Sequence, residues 1–314
     1  MTTGVVVMAY GTPRHRGEVE AYYTDIRRGS PPSAEQLADL VARYDAIGGL
    51  SPLRERTEAQ AAAIATALGD EYLVAVGLRH AEPSIEDAVA ELVAGGTAQV
   101  VGLVLAPHYS AMSVGVYHER AAAALRSGPT DAPKRAHNSD MNGGGARYAP
   151  IDSWATEPVY VDWLAGDVAA RLDRMPAGTH VLFTAHSLPR RILDTGDPYP
   201  AEVAATAAAV AKEAGLAAGA WSVGWQSAGQ TSEPWLGPDV GEVIDELAAD
   251  GAAGLLVCPC GFTSDHLEVL YDLDIQARAH ADERGLRFAR TAVVNDDSGV
   301  MTALARRVID RAAS

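Results

Sequence analysis

The chain runs twice through the same succession of local signals. Residues 77–110 read GLRHAEPSIEDAVAELVAGGTAQVVGLVLAPHYS, and residues 224–262 read GWQSAGQTSEPWLGPDVGEVIDELAADGAAGLLVCPCGF. Each passes from the end of an apolar run into a polar loop holding Glu-Pro. A helix-like segment ending in Glu-Leu follows, then a Gly-containing turn, a second apolar run, and a Pro with polar or aromatic neighbours. The starts of the two halves match as well, VVVMAYGTP against VLFTAHSLP. Such self-similarity marks repeated structural units. It predicts two similar α/β domains facing each other across a cleft.

The apolar runs define what those domains are. Likeness to strands is strongest at 4–9, 72–77, 100–106, 180–185, 220–224 and 253–258. They do not alternate with polar residues, so both faces are buried, as in a parallel sheet covered on each side by helices. Ala-rich amphipathic segments separate them, at 15–28, 34–46, 55–69, 84–95, 113–127, 157–174, 200–215, 238–250, 265–285 and 298–312. The fold class is therefore α/β, with two Rossmann-like domains. Residues 127–153, rich in Gly, Pro, Asn and Asp, predict a long loop and a boundary near residue 150. Domains of 1–150 and 151–314 follow, with the C-terminal helix expected to pack back on the first. Ligands of such folds bind beyond the carboxyl ends of the strands. That expectation gathers Tyr10, His80, His108, His186, Gln226 and Cys260 around one cleft.

Charge excludes some functions. The formal net charge of −16 repels nucleic acid and attracts small cations. An anionic ligand would need clustered Arg or Lys. The start GVVVMAYGTP lacks a basic flank and reads as a buried strand rather than a signal peptide. No apolar stretch approaches the ~18 residues that span a bilayer, so a cytoplasmic protein is expected. The two cysteines, Cys258 and Cys260, are too few for a four-thiolate cluster and read as small buried strand residues.

Two segments carry chemistry. TAHSLP puts His186 just after an apolar strand, where a histidine either faces a ligand or satisfies a structural hydrogen bond. DHLEVLYDLD puts Asp265, Glu268 and Asp272 at i, i+3 and i+7, on one side of a helix. Acids near a helix start are favoured by its dipole, but Glu268 has apolar neighbours. A neutral imidazole with a carboxylate can bind Fe2+ loosely or take up a proton. The first half supplies Tyr10 in MAYGTP, Arg27 and Arg28 in YYTDIRRG, and Arg43, Tyr44 and Ser51 in RYDAIGGLSPL. Guanidinium groups pair with carboxylates but also lie solvated at helix ends. Trp225 and Trp235 either wall a pocket or fill core.

Taken together, MAYGTP, YYTDIRRG, RYDAIGG with SPL, GLRHAEPSIEDAVAEL, LAPHYS, TAHSLP, GDPYP, VGWQS, PWLGPD and DHLEVLYD resemble the ferrochelatases, in that family's order and over nearly the whole chain. The resemblance implies a chelatase (a lyase) that inserts Fe2+ into a porphyrin held between two Rossmann-like domains. Tyr10 and the polar stretch GSPPSAEQLADL resemble the branch of Gram-positive-type bacteria that metallates coproporphyrin III in the cytoplasm, without membrane insertion. The resemblance further implies that Arg27, Arg43, Tyr44, Ser51 and Tyr117 hold the macrocycle. His186 and Glu268 would handle the incoming iron, and Tyr10 would be an axial ligand of the product iron. It also implies a monomer in haem biosynthesis, in transient contact with the next enzyme of the pathway. Two departures stand out. Gln276 occupies the position where the acidic stripe often continues, which weakens an outer metal site. No cysteine follows Cys260, so no [2Fe–2S] cluster is expected and no cofactor is tightly bound. The competing expectations are a chelatase for protoporphyrin IX or another metal, and a non-catalytic haem or porphyrin carrier.

Overall fold

A computed structural model describes residues 2–127, 146–229 and 231–314. The first half contributes β1 (Thr3–Ala9), α1 (Val19–Ile26), α2 (Ala34–Ala46), α3 (Leu53–Leu68), β2 (Tyr72–Leu78), α4 (Ile85–Ala94), β3 (Gln99–Val104), α5 (Val114–Ser127) and β4 (Arg147–Ile151). The second contributes α6 (Pro158–Leu172), β5 (His180–His186), α7 (Tyr199–Glu213), β6 (Trp221–Gln226), α8 (Val240–Ala249), β7 (Gly254–Cys258), a π-helix (Glu268–Ala277), α9 (Arg278–Glu283), β8 (Arg287–Arg290) and α10 (Ser298–Ala313).

Two four-stranded sheets result, ordered β2-β1-β3-β4 and β6-β5-β7-β8. All their pairings are parallel. The same order appears twice, so the repeat seen in the sequence is a repeat of topology. The duplicated helices α4 and α8 even start alike. Ser84 with Asp87, and Asp239 with Glu242, each form a reciprocal capping box that satisfies free N–H groups of the first turn.

The pleat of β1 explains the missing alternation. Val5, Val7 and Ala9 enter the large core shared with α3, α6, α7, α10 and the second sheet. Val6 and Met8 enter a second core under α4 and α5. Leu182 and Leu255 do the same under α8 and α9. The C-terminal helix α10 packs on α3, β3, β4 and α6. Its Arg311 Nε donates to the Pro150 carbonyl at 2.8 Å.

Three local expectations change. Residues 147–151 form β4 within the stretch read as a loop, and 287–290 form β8 where no strand was expected. Both are short edge strands, RYAPI and RFAR, whose charged residues and Pro hide them from an apolar-run reading. Residues 128–145 of the expected loop lie outside the described residues. The helix expected over 265–285 starts only at Leu267 and is a π-helix through Ala277. Among the described residues, no helix is long and apolar enough to cross a membrane.

Candidate active site

His186 is the last residue of β5, paired in register with Gln226 of β6. Its backbone is held from two sides. The Tyr199 hydroxyl donates to the His186 carbonyl at 2.9 Å, and the next amide, of Ser187, donates to the Gln226 carbonyl at 2.7 Å. The Ser187 hydroxyl donates to the Leu236 carbonyl at 2.9 Å, which turns the chain away and leaves the imidazole facing the cleft.

The π-helix brings its partner. Its wider i→i+5 pattern is rare and recurs at functional sites. Glu268 Oε2 lies 3.0 Å from His186 Nδ1 and 3.7 Å from His266 Nε2. His266 Nδ1 sits 2.9 Å from the Ser264 carbonyl, which can only accept, so this nitrogen carries a proton. The Glu268 backbone is fixed as well. Gln226 Nε2 donates to its carbonyl at 3.2 Å, and the Thr184 hydroxyl holds Gln226 Oε1 at 2.9 Å. One turn on, Asp272 accepts from the Ser227 hydroxyl at 2.5 Å.

These contacts set the charges. Burial opposes the His186 imidazolium, but the Glu268 charge and hydrogen bond, with Asp272 behind them, outweigh it and raise its pKa. Burial likewise opposes the Glu268 carboxylate, and His186 and His266 override it, holding Glu268 below the usual carboxylate range. Asp272 goes the other way. Burial and the Glu268 charge push it up to about 6, against the hydrogen bond of Ser227 and the charge of Arg43. The site thus holds an ion pair and, beside it, a carboxyl that titrates near neutrality.

The first half forms the facing wall. Tyr10 follows β1 directly and is 39% exposed. Its ring centre is 4.6 Å from that of His80, whose Nδ1 lies 2.7 Å from Asp25 Oδ2. Desolvation raises the Tyr10 phenol, and the Glu268 charge is the next contribution, so the two groups sense each other across the cleft. Tyr44 is raised by the same two influences. Buried Tyr117, with the Arg79 guanidinium 5.5 Å from its ring centre, is pushed up to about 12 by desolvation. Arg43 on α2 reaches the π-helix. Its Nη1 is 4.0 Å from Asp272 Oδ1, and its guanidinium lies 5.2 Å from the Tyr271 ring centre.

Other expected residues fall differently. Arg27 keeps local company, its guanidinium 5.7 Å from the Tyr23 ring centre and its Nε donating to the Ser30 carbonyl at 3.2 Å. The buried Ser51 hydroxyl accepts from the Leu53 amide at the start of α3. Asp265 leaves the expected stripe, because it precedes the helix and binds Arg290 and Asn295 instead. His108 is not in the cleft. It is buried, 2.8 Å from the Thr206 hydroxyl, and burial drives its pKa down to about 3. Cys260 is not in the cleft either: both cysteines are fully buried. Trp225 fills core beside Tyr199.

Sequence reasoning missed His266 and Arg79. Two residues apart on a regular helix, His266 and Glu268 would diverge. Only the late helix start turns His266 back. Arg79 stood beside His80 in GLRHAEP without a signal of its own.

Comparison with known proteins bears on this geometry. The model of the ferrochelatase family matches residues 2–312. A coproporphyrin III ferrochelatase of Geobacillus thermodenitrificans is 43% identical over 322 residues, covering 99% of this chain and 96% of that protein. A ferrochelatase of Herpetosiphon aurantiacus is 39% identical over 303 residues, covering 94% of each. Among solved structures, SirB from Bacillus subtilis with Fe3+ superposes with a TM-score of 0.56 at 13% identity, covering 100% of this chain and 96% of that one, a likeness of fold. With a full-length family match and relatives near 40% identity, this two-sheet chain belongs to the ferrochelatase family.

Proposed function

We propose that this chain is a lyase that inserts Fe2+ into coproporphyrin III, giving Fe-coproporphyrin III in haem biosynthesis. The observation that carries the chemistry is the His186–Glu268 pair at 3.0 Å, opposed across the cleft by Tyr10. The substrate reading rests on relatives named coproporphyrin III ferrochelatase at 43% and 42% identity.

The porphyrin lies in the cleft with carboxylates toward Arg43, Arg27 and Ser51, flanked by Tyr44 and Tyr117. Tyr10 stands on one face, and His186 with Glu268 on the other. The walls hold the ring out of plane, so that its nitrogen lone pairs face the metal. Incoming Fe2+ meets an imidazole and a carboxylate, an N/O pair suited to loose binding of this ion. Its charge expels the proton from the His186 imidazolium to solvent. As iron passes to the ring nitrogens, two pyrrole N–H bonds break. The freed imidazole and carboxylate receive those protons and pass them on to solvent, with Asp272, at about 6, as the next acceptor. Tyr10 then ligates the product iron. Gln276, exposed and neutral, ends the acidic face of the π-helix at Asp272. The reading needs no iron–sulfur cluster and places a monomer in the cytoplasm, handing its product to the next enzyme by transient contact.

The test is anaerobic turnover of Fe2+ with coproporphyrin III and with protoporphyrin IX, side by side, followed by absorbance. Faster metallation of coproporphyrin III is expected. Preference for protoporphyrin IX would overturn the substrate, and binding without metallation of either would favour a carrier.

A further inference from the structure

Arg43 is placed between two carboxylates of different standing. Its Nε donates to Asp39 Oδ2 at 3.0 Å along the same helix, and Asp39 is half-exposed. Its Nη1 reaches Asp272 Oδ1 only at 4.0 Å, across the cleft, although Asp272 is largely buried at 14% exposure. Arg43 thereby joins α2 of the first half to the π-helix one turn beyond Glu268. A planar guanidinium presents a second edge for bidentate pairing, and the loose contact to Asp272 occupies that edge without using it fully. Asp272 does not depend on Arg43 alone, because the Ser227 hydroxyl remains on its other oxygen.

We propose that Arg43 is an exchangeable latch: in the empty cleft it pairs with Asp272, and a porphyrin carboxylate takes its place, uncovering Asp272 to the incoming divalent cation. The exchange swaps one ion pair for another and moves no covalent bond. It couples the two substrates, since seating the porphyrin opens the carboxylate nearest to Glu268 on the same helix face. The latch rests on the reading that a carboxylated porphyrin enters this cleft, and the experiment separates the two.

Coproporphyrin III affinity is measured by fluorescence quenching without metal, in the wild type, Asp272→Asn, Arg43→Met and the double variant. Removing the competitor should tighten binding about 2–5-fold in Asp272→Asn, the scale of one part-exposed ion pair. In the Arg43→Met background the same change should do nothing. Calorimetry with Co2+ alone, no porphyrin present, should show several-fold tighter binding to Arg43→Met than to the wild type. Arg43→Lys, which keeps the charge but not the planar fork, should fall between the wild type and Arg43→Met. Unchanged porphyrin affinity in Asp272→Asn, equal tightening with and without Arg43, or no gain in Co2+ affinity each overturn the latch. If the wild type binds no coproporphyrin III, the substrate reading fails and the latch goes with it.

Discussion

Replacing Gln60 by leucine tests how the two halves are joined beneath the cleft. Gln60 lies on α3 and is fully buried. Its Nε2 donates to the carbonyls of Thr263 and Asn295 at 3.1 and 2.8 Å, and its Oε1 accepts from the Ser264 hydroxyl at 2.9 Å. Residues 263 and 264 lead directly into the π-helix that carries Glu268. Leucine has nearly the same volume and none of these groups. Thr263 keeps the Asn295 amide as a donor, so the Asn295 carbonyl and the Ser264 hydroxyl bear most of the loss. At about 1–2 kcal/mol for each buried group left unpaired, less about 1 kcal/mol of apolar gain, the cost is about 1–3 kcal/mol. Urea unfolding would read this directly, and a thermal midpoint would drop by about 2–5 °C for a chain of this length. Gln60→Glu, of equal size, should fare worse at pH 7, because a carboxylate oxygen would face two carbonyls. A loss below about 1 kcal/mol in both variants would refute the assignment of Gln60 as the joint.

Two further outcomes follow from the charges of the site. A carboxyl with a folded pKa of about 6 binds more protons folded than unfolded between that value and 3.8, so Asp272 makes stability fall as pH rises through this window and stay lower above it. Asp272→Asn should therefore unfold at higher urea than the wild type at pH 8, by at most about 3 kcal/mol, and the gain should vanish near pH 4; a variant less stable at pH 8 would contradict this. His186 has a linkage of the same sign: its raised pKa contributes stability that is fully present below 6.5 and lost as pH rises through the folded value. Glu268→Gln removes the largest raising influence and leaves burial, so the His186 titration followed by NMR should move to lower pH, and an unmoved titration would refute the pairing.

Much of this architecture was legible because it is local. Ser33 and Gln36 form the capping box that starts α2, and that helix spans 34–46 as its pattern predicts. The central strands β1, β3, β5 and β7 are buried on both faces, which made them continuous apolar runs. The edges were harder. Strands β4 and β8 have one neighbour each and carry Arg and Pro, so they look like loop. The π-helix was invisible for a different reason. Its composition is that of an ordinary amphipathic helix, and only the hydrogen-bond pattern differs. Its late start, at Leu267, was equally hidden; that start removed Asp265 from the acidic face and brought His266 back to Glu268. Gln60 stands in the run AQAAA, where a lone Gln reads as a solvent-facing residue. His108 and His186 both follow apolar strands, yet Thr206 on α7 covers only the first. Sequence neighbours alone do not distinguish them.

In the proposed mechanism His186 with Glu268 delivers iron to a porphyrin held by other residues. The most direct measurement compares the wild type with His186→Ala under anaerobic Fe2+ and saturating coproporphyrin III, following the absorbance of the metallated product. Porphyrin affinity should stay within a few-fold of the wild type, and metallation should slow by about 10²–10⁴. Near-normal metallation by His186→Ala, with porphyrin bound, would contradict it.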